Sequence, residues 1–141
     1  MKYLGLDLGT KTLGIAISDL THTIATSNKI LKMEENNYES LIEPIKKIIE
    51  EEQIEKIILG FPINMDNTIR KRGEDTLLFK KLLEEKIKLP VILQDERLST
   101  KEAHNYMLEA DMSRKKRKQK IDSLAASIIL QTYLDKEKKN G

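Results

Sequence analysis

The sequence has no cysteine and no tryptophan, and among its 141 residues only four are tyrosine and two phenylalanine. Without cysteine there is neither a disulfide framework nor a thiolate metal site. The two histidines, His22 and His104, do not stand at a ligand-like spacing, so both read as ordinary surface or half-buried residues. Any metal would then sit among oxygens. So few aromatics make stacking on nucleobases a minor theme. No apolar run is long enough to span a bilayer, and Asp7 interrupts the first one too early for a secretory leader. These absences predict a soluble, cytoplasmic protein with no membrane partner. The length predicts a single domain over residues 1–135, with a frayed, solvated tail from 136 to 141.

Net charge is also nearly absent: 25 basic residues against 23 acidic ones leave +2. The distribution says more than the sum. Glu39, Glu43, Glu50, Glu51, Glu52 and Glu55 crowd one stretch, whereas Arg114, Lys115, Lys116, Arg117, Lys118 and Lys120 fill six of seven consecutive positions. A polyanion would be drawn to the second group.

The apolar pattern alternates between strand and helix periods. Lys2–Leu8 and Thr12–Ser18 read as strands joined at Gly9-Thr10-Lys11, a hairpin, and His22–Leu31 as a third strand. Leu41, Ile42, Ile45, Ile48 and Ile49 predict an amphipathic helix over Tyr38–Glu52, in which Pro44 demands a kink or a start nearer Leu41. A buried strand at Lys56–Leu59 leads through Gly60-Phe61-Pro62 and a loop into a helix over Ile69–Lys86, built on Leu77, Leu78, Leu82 and Leu83. Pro90–Gln94 is the next strand. Ser99-Thr100-Lys101-Glu102 has capping-box spacing and opens a helix toward Ala110, and Ile121–Leu134 forms the last helix, along Leu124, Ala125, Ile128 and Tyr133. The order βββαβαβαα predicts an α/β fold: an antiparallel meander extended by parallel βα units into a mixed five-stranded sheet flanked by helices.

Three carboxylates fall where such a sheet forms ligand crevices. Asp7 ends the first strand beside a glycine turn; alone, it reads as a turn cap. Asp95-Glu96-Arg97 follows the last strand, at the edge where βα loops bind ligands, or else is a solvated acidic loop with Arg97 as its ion-pair partner. Asp122 sits in the first turn of the expected last helix, where the dipole favours an acid regardless of function. Together, without Cys or His, they make an all-oxygen set suited to Mg²⁺ or Mn²⁺. Two such ions about 4 Å apart could clamp a scissile phosphate. The basic run Arg114 to Lys120 immediately precedes Asp122 and would hold phosphates; its bland alternative is a solvated basic loop. Asn64 or Asp66, after the fourth strand, could touch substrate or a metal's water shell, against the simpler reading of a well-formed loop.

Four segments in order are similar to the YqgF family: Gly5-Leu6-Asp7-Leu8-Gly9-Thr10-Lys11, Leu59-Gly60-Phe61-Pro62-Ile63-Asn64-Met65-Asp66, Asp95-Glu96-Arg97-Leu98-Ser99-Thr100 and Lys120-Ile121-Asp122-Ser123-Leu124-Ala125-Ala126. Members of that family are described as Holliday junction resolvases and as nucleases that process precursor 16S ribosomal RNA. The resemblance implies an RNase H-like nuclease domain, catalytic and metal-binding roles for Asp7, Glu96 and Asp122, and a Mg²⁺ or Mn²⁺ cofactor. It implies processing of the 5′ end of pre-16S rRNA in ribosome biogenesis or, alternatively, resolution of branched DNA. Lys11, Arg97, Arg114, Lys115, Lys116, Arg117 and Lys118 are the expected nucleic-acid contacts. Family members often carry Arg after the basic residue of the first turn, whereas this chain has Lys11-Thr12, which leaves that phosphate contact to Lys11. Asn67 replaces a usual glycine. A fourth carboxylate would be Asp95 or Asp66. Resolving a symmetric junction would need two active sites, hence a homodimer. Two rivals remain: a non-catalytic RNA-binding assembly factor that uses the basic run, and an ATPase, because Asp7-Leu8-Gly9-Thr10 also resembles the first phosphate loop of sugar kinases and actin-like proteins. The latter close two lobes around ATP, and this chain has room for one.

Overall fold

The hairpin predicted at the start of the chain is the nucleus of the sheet. In the structure, a computed structural model, residues 1–62, 71–95 and 114–140 are described, with 71, 114–123 and 139–140 described by backbone alone. Strands β1 (Lys2–Leu8) and β2 (Thr12–Ser18) pair antiparallel from Leu4↔Ile17 to Leu8↔Leu13. β3 (Ala25–Lys32) pairs antiparallel with β2, whereas β4 (Ile54–Phe61) and β5 (Val91–Asp95) extend the sheet in parallel on the other side of β1. The order is β3-β2-β1-β4-β5, the expected mixed five-stranded sheet, with β1 at its centre.

Alternation along the strands divides the core in two. Leu4, Leu6, Leu8, Leu13, Ile15, Ile57 and Leu59 face α1 (Ile42–Glu52) and α2 (Lys71–Lys86), meeting Ile45, Ile48, Phe79 and Leu83. Tyr3, Ala16 and Ile58 face the opposite way, onto Ala126, Ile129, Leu130 and Leu134 of α3 (Arg114–Asn140). Helices therefore cover both faces. Gly5 lies tight against α3: a Cβ there would lie 2.7 Å from Leu130 Cβ and 3.1 Å from the Ala126 carbonyl oxygen.

Several boundaries differ from the sequence reading. The third strand starts at Ala25 rather than His22, because Asp19 closes a tight turn first: its carboxylate accepts the N–H groups of Thr23 at 2.8 Å and Ile24 at 3.1 Å, and His22 takes a left-handed φ of 57°. Tyr38–Leu41 is a 3₁₀ turn, and the α-helix proper starts at Ile42. Pro44 thus occupies the first turn, where its missing N–H leaves no bond unmade. On α2 the buried residues are Gly73, Thr76, Phe79 and Leu83, while Leu77 and Leu78 are exposed, so only part of the leucine set belongs to the core.

The largest difference is α3. It begins at Arg114, seven residues before the expected Ile121, and runs through the segment read as a frayed tail to Asn140. The basic run is helical, not a loop, and Asp122 lies in the helix interior, so the first-turn argument for its presence does not apply. Arg, Lys and Gln are strong helix formers but show no apolar period when solvated, which is why the pattern missed this extension. Of the expected stripe Ala125 is buried and Leu124, Ile128 and Tyr133 are half-buried, while the stripe widens to bury Ala126, Ile129, Leu130 and Leu134. The expected helix from Ser99 toward Ala110 lies outside the described residues.

Candidate active site at the carboxyl edge of the sheet

β1, β4 and β5 run parallel, so their carboxyl ends share one edge, the place where open α/β sheets form crevices. Asp7 reaches that edge from the central strand, half-buried and in register with Gly14 of β2. Its side chain shares the face of Tyr3 and Gly5, four and two residues back, and so points to the α3 side.

α3 crosses that face antiparallel to β1. Its carboxyl end meets Tyr3: the Tyr3 hydroxyl donates to Glu137 Oε1 at 3.1 Å, and the Tyr3 and Tyr133 rings meet edge-on at 6.1 Å. One strand step further, Gly5 touches Ala126 and Leu130. A further step along β1 reaches Asp7, and the matching helix position one turn before Ala126 is Asp122. Positions 122, 126 and 130 lie on one helix stripe, each about 6 Å along the axis from the next. The backbone of Asp122 therefore falls at the Asp7 end of the interface. Its side chain, like those of Arg114, Lys115, Lys116, Arg117 and Lys118, is not among those described.

The far end of this helix is pinned firmly. Lys56 Nζ donates to Tyr133 Oη at 3.1 Å and pairs with Glu137 Oε2 at 3.3 Å, and it lies 4.7 Å from the Tyr3 ring centroid. Burial acts to lower the Lys56 pKa, but the bonds to Tyr133 and Glu137 outweigh it and raise the pKa, so the ammonium stays charged. For Glu137, burial acts upward and the bonds from Lys56, Tyr3 and Tyr133 pull the pKa down. His22, read as an ordinary surface or half-buried residue, is half-buried and stacks on Tyr3 at 3.9 Å.

Asp95, a candidate fourth carboxylate, is placed otherwise. Val91 and Leu93 pack into the α1–α2 core and Ile92 into the α3 core, so strand alternation turns Asp95 toward the α1–α2 face, away from Asp7. Among the described residues no three His, Asp or Glu side chains converge on a metal-holding cluster. Within the described part, the chemistry at the edge fits a hard divalent cation through one half-buried carboxylate, that of Asp7. Glu96, Arg97, Asn64, Asp66, Asn67 and His104 lie outside the described residues.

Lys11 is exposed in the β1–β2 turn at the same edge. That turn is braced: its Lys11 and Thr10 carbonyls accept the N–H groups of Met33 and Asn36, each at 2.9 Å. Beside it Leu8, Gly9, Thr10, Tyr38, Arg72, Asp75 and Thr76 line a shallow open cleft; Arg72, Asp75 and Thr76 had drawn no notice in the sequence. Arg72 Nη2 donates to the Leu8 carbonyl at 3.1 Å. The Tyr38 hydroxyl donates to Asn36 Oδ1 at 3.0 Å, and its pKa is raised by burial and by the nearby Asp75 carboxylate.

Residues 1–136 match the family described as "RuvX: Holliday junction resolvase". Among curated proteins, one from Geobacillus sp. (strain WCH70) named "Putative pre-16S rRNA nuclease" is 49% identical over 135 residues, covering 96% of this chain and 98% of its own. A protein of the same name from Bacillus subtilis (strain 168) is 46% identical over 135 residues, with the same coverage. Among solved structures, T. thermophilus RuvC in complex with a Holliday junction substrate superposes with a TM-score of 0.62 at 13% identity, covering 100% of this chain and 98% of that one. The Fowlpox virus resolvase bound to Holliday junction DNA gives 0.58 at 15% identity, covering 97% and 99%. At those identities the likeness shows the fold, which is the RNase H-like one.

Proposed function

Because the chain belongs to the RuvX Holliday junction resolvase family, we propose that it is a divalent-metal-dependent nuclease that hydrolyses phosphodiester bonds in precursor 16S ribosomal RNA. One observation carries the active-site assignment: the Asp7 carboxylate ends the central strand on the face that α3 crosses, with the Asp122 position on the helix stripe above it. Asp7, Glu96 and Asp122 would hold Mg²⁺ or Mn²⁺, and Asp95 is turned away from Asp7, which leaves Glu96 as the acid of its segment for the site. A bound divalent ion supplies activation of water and neutralisation of charge at the phosphate.

The chain's own groups do the rest. Asp7 offers a hard oxygen from a rigid central strand. Because α3 is helical through the basic run, Arg114 and Lys118 occupy positions one turn apart that lead directly to Asp122. Cationic side chains from this stretch, with Lys11 and Arg97, would bind backbone phosphates without reading sequence and orient one against the carboxylates. A cytoplasmic location accords with this role, and no described helix is long and apolar enough to cross a membrane.

Resolution of branched DNA is the second reading, favoured by the family's description and by the junction-bound structures that share the fold. It would require a homodimer to present two sites. Precursor ribosomal RNA and four-way DNA junctions, tested side by side with each metal, separate the two. The residue test is Asp7→Asn, which should abolish cleavage while leaving nucleic-acid affinity unchanged. Equal cleavage by wild type and variant would remove Asp7 from the chemistry. Binding without cleavage by the wild type, on every substrate and with either metal, would instead favour an RNA-binding assembly factor.

A further inference from the structure

The backbone of β1 raises an accounting question at its last residue, because a carbonyl at a strand end needs a donor as much as one in its middle. Gly9 N–H bonds to the Thr12 carbonyl at 2.8 Å, so the polar groups of Gly9 and of alternate residues before it face β2. Those of Leu4, Leu6 and Leu8 therefore face β4. β1 and β4 are in parallel register at Leu4↔Ile57, Gly5↔Ile58 and Leu6↔Leu59. In a parallel ladder of this phase the Leu4 carbonyl takes the N–H of Ile58, the Leu6 carbonyl that of Gly60, and the Leu8 carbonyl would take that of residue 62. Residue 62 is proline and has no N–H.

The donor comes from elsewhere. Arg72, in the first turn of α2, places Nη2 3.1 Å from the Leu8 carbonyl oxygen. Behind it, Thr76 Oγ1 donates to the Arg72 carbonyl at 2.7 Å, and Thr76 is buried against the core. An exposed arginine anchored on a buried turn of helix thus completes a ladder that Pro62 interrupts. The carbonyl it holds belongs to the residue directly after Asp7.

We propose that Arg72 is a positioning residue for Asp7: its guanidinium substitutes for the missing N–H of Pro62 and fixes the Leu8 peptide, and with it the backbone that carries the Asp7 carboxylate. The proposal rests on the nuclease reading for its functional consequence, not for the contact itself. β2 holds β1 through Leu8↔Leu13 and Gly9, and the Leu8 side chain packs in the core. On the opposite side β4 has no N–H for the Leu8 carbonyl, so without Arg72 that side of the Leu8 peptide would lose its restraint relative to α2 and β4. A displacement of about 1 Å in a catalytic group costs on the order of 100-fold in rate.

The test compares wild type, Arg72→Lys and Arg72→Ala in three measurements: kcat and KM for cleavage, thermal midpoint, and the Mn²⁺ concentration that half-broadens the Leu8 and Gly9 amide signals in NMR spectra. Arg72→Ala should lower kcat by roughly 10- to 100-fold with KM unchanged. The Mn²⁺ half-point should rise and the thermal midpoint stay near that of wild type. Arg72→Lys should recover much of the loss, because an ammonium can still donate to one carbonyl. A rise in KM with kcat unchanged would overturn the proposal and make Arg72 a direct nucleic-acid contact. A fall in thermal midpoint that accounts for the lost activity, with no rescue by lysine, would overturn it in favour of a purely structural bond. If the wild type cleaves nothing, the nuclease reading fails separately, and the Mn²⁺ titration still decides: equal half-points in all three proteins, or no broadening in the wild type, refute the positioning role.

Discussion

Gly5→Ala tests the packing on which the relation between Asp7 and Asp122 depends. An ideal Cβ on residue 5 would stand 2.7 Å from Leu130 Cβ, 3.1 Å from the Ala126 carbonyl oxygen and 3.4 Å from Leu130 Cδ2. Two carbons sit comfortably at about 3.5–4.0 Å, so the helix and strand must separate by about 1 Å. Rotamer changes cannot relieve this, because Leu130 Cβ and the Ala126 carbonyl are fixed to the α3 backbone. Such overpacking costs typically about 1–3 kcal/mol. Gly5 has no positive φ, so alanine also restricts the unfolded chain and returns about 0.4–1 kcal/mol. The net expectation is a loss of about 1–2 kcal/mol, read as a lower urea midpoint with an unchanged slope. Leu130→Ala added to Gly5→Ala should give no relief, since it keeps the offending Cβ, whereas Leu130→Gly should relieve part of the clash. The displacement is transmitted along α3 to position 122, so cleavage should fall by more than the unfolded fraction explains. A Gly5→Ala protein as stable and as active as wild type would refute the close contact between β1 and α3.

Two further predictions concern charge. Bonds from Thr21, Ile24 and Thr23 pull the Asp19 carboxyl from its ordinary 3.8 down to about 2. A depressed folded pKa stabilises the protein above the unfolded value, so this contribution is complete above pH 3.8 and lost as pH falls through about 2. Asp19→Ala should therefore differ from wild type in thermal midpoint at neutral pH and converge with it in that acid window; a constant difference down to pH 2 would refute the assignment. Replacing Lys115, Lys116 and Arg117 by glutamine should weaken nucleic-acid binding and flatten the plot of log affinity against log salt by up to about 2–3 units, since each phosphate contact contributes about 0.7–0.9. An unchanged slope would take this turn of α3 out of the interface.

Local pattern sufficed for much of the fold. The hairpin over β1 and β2, the strand character of β4 and β5, and the Ile42, Ile45 and Ile48 face of α1 were legible because alternation and helical spacing are properties of neighbouring residues. So was the nomination of Asp7, since a carboxylate that ends an apolar strand beside a glycine needs only a few residues to be seen. Periodicity failed where a helix carries no apolar residue to show it, as along Arg114–Lys120, and where an apolar residue is left outside, as at Leu77 and Leu78.

Strand order belongs to the tertiary structure alone. That β1 lies between β2 and β4, which makes Asp7 central, follows from which edges pair, and sequence spacing does not encode it. The same holds for the face to which Asp95 turns, for the approach of α3 onto Gly5, and for the bond from Arg72 to Leu8. Each joins residues whose separation along the chain is bridged only by folding. The sequence by itself determined which carboxylates and cations were available and that strands would present them. The tertiary structure decided that Asp7 and the Asp122 backbone meet on one face, because a sheet has two sides and one residue of register sends a side chain to one or the other.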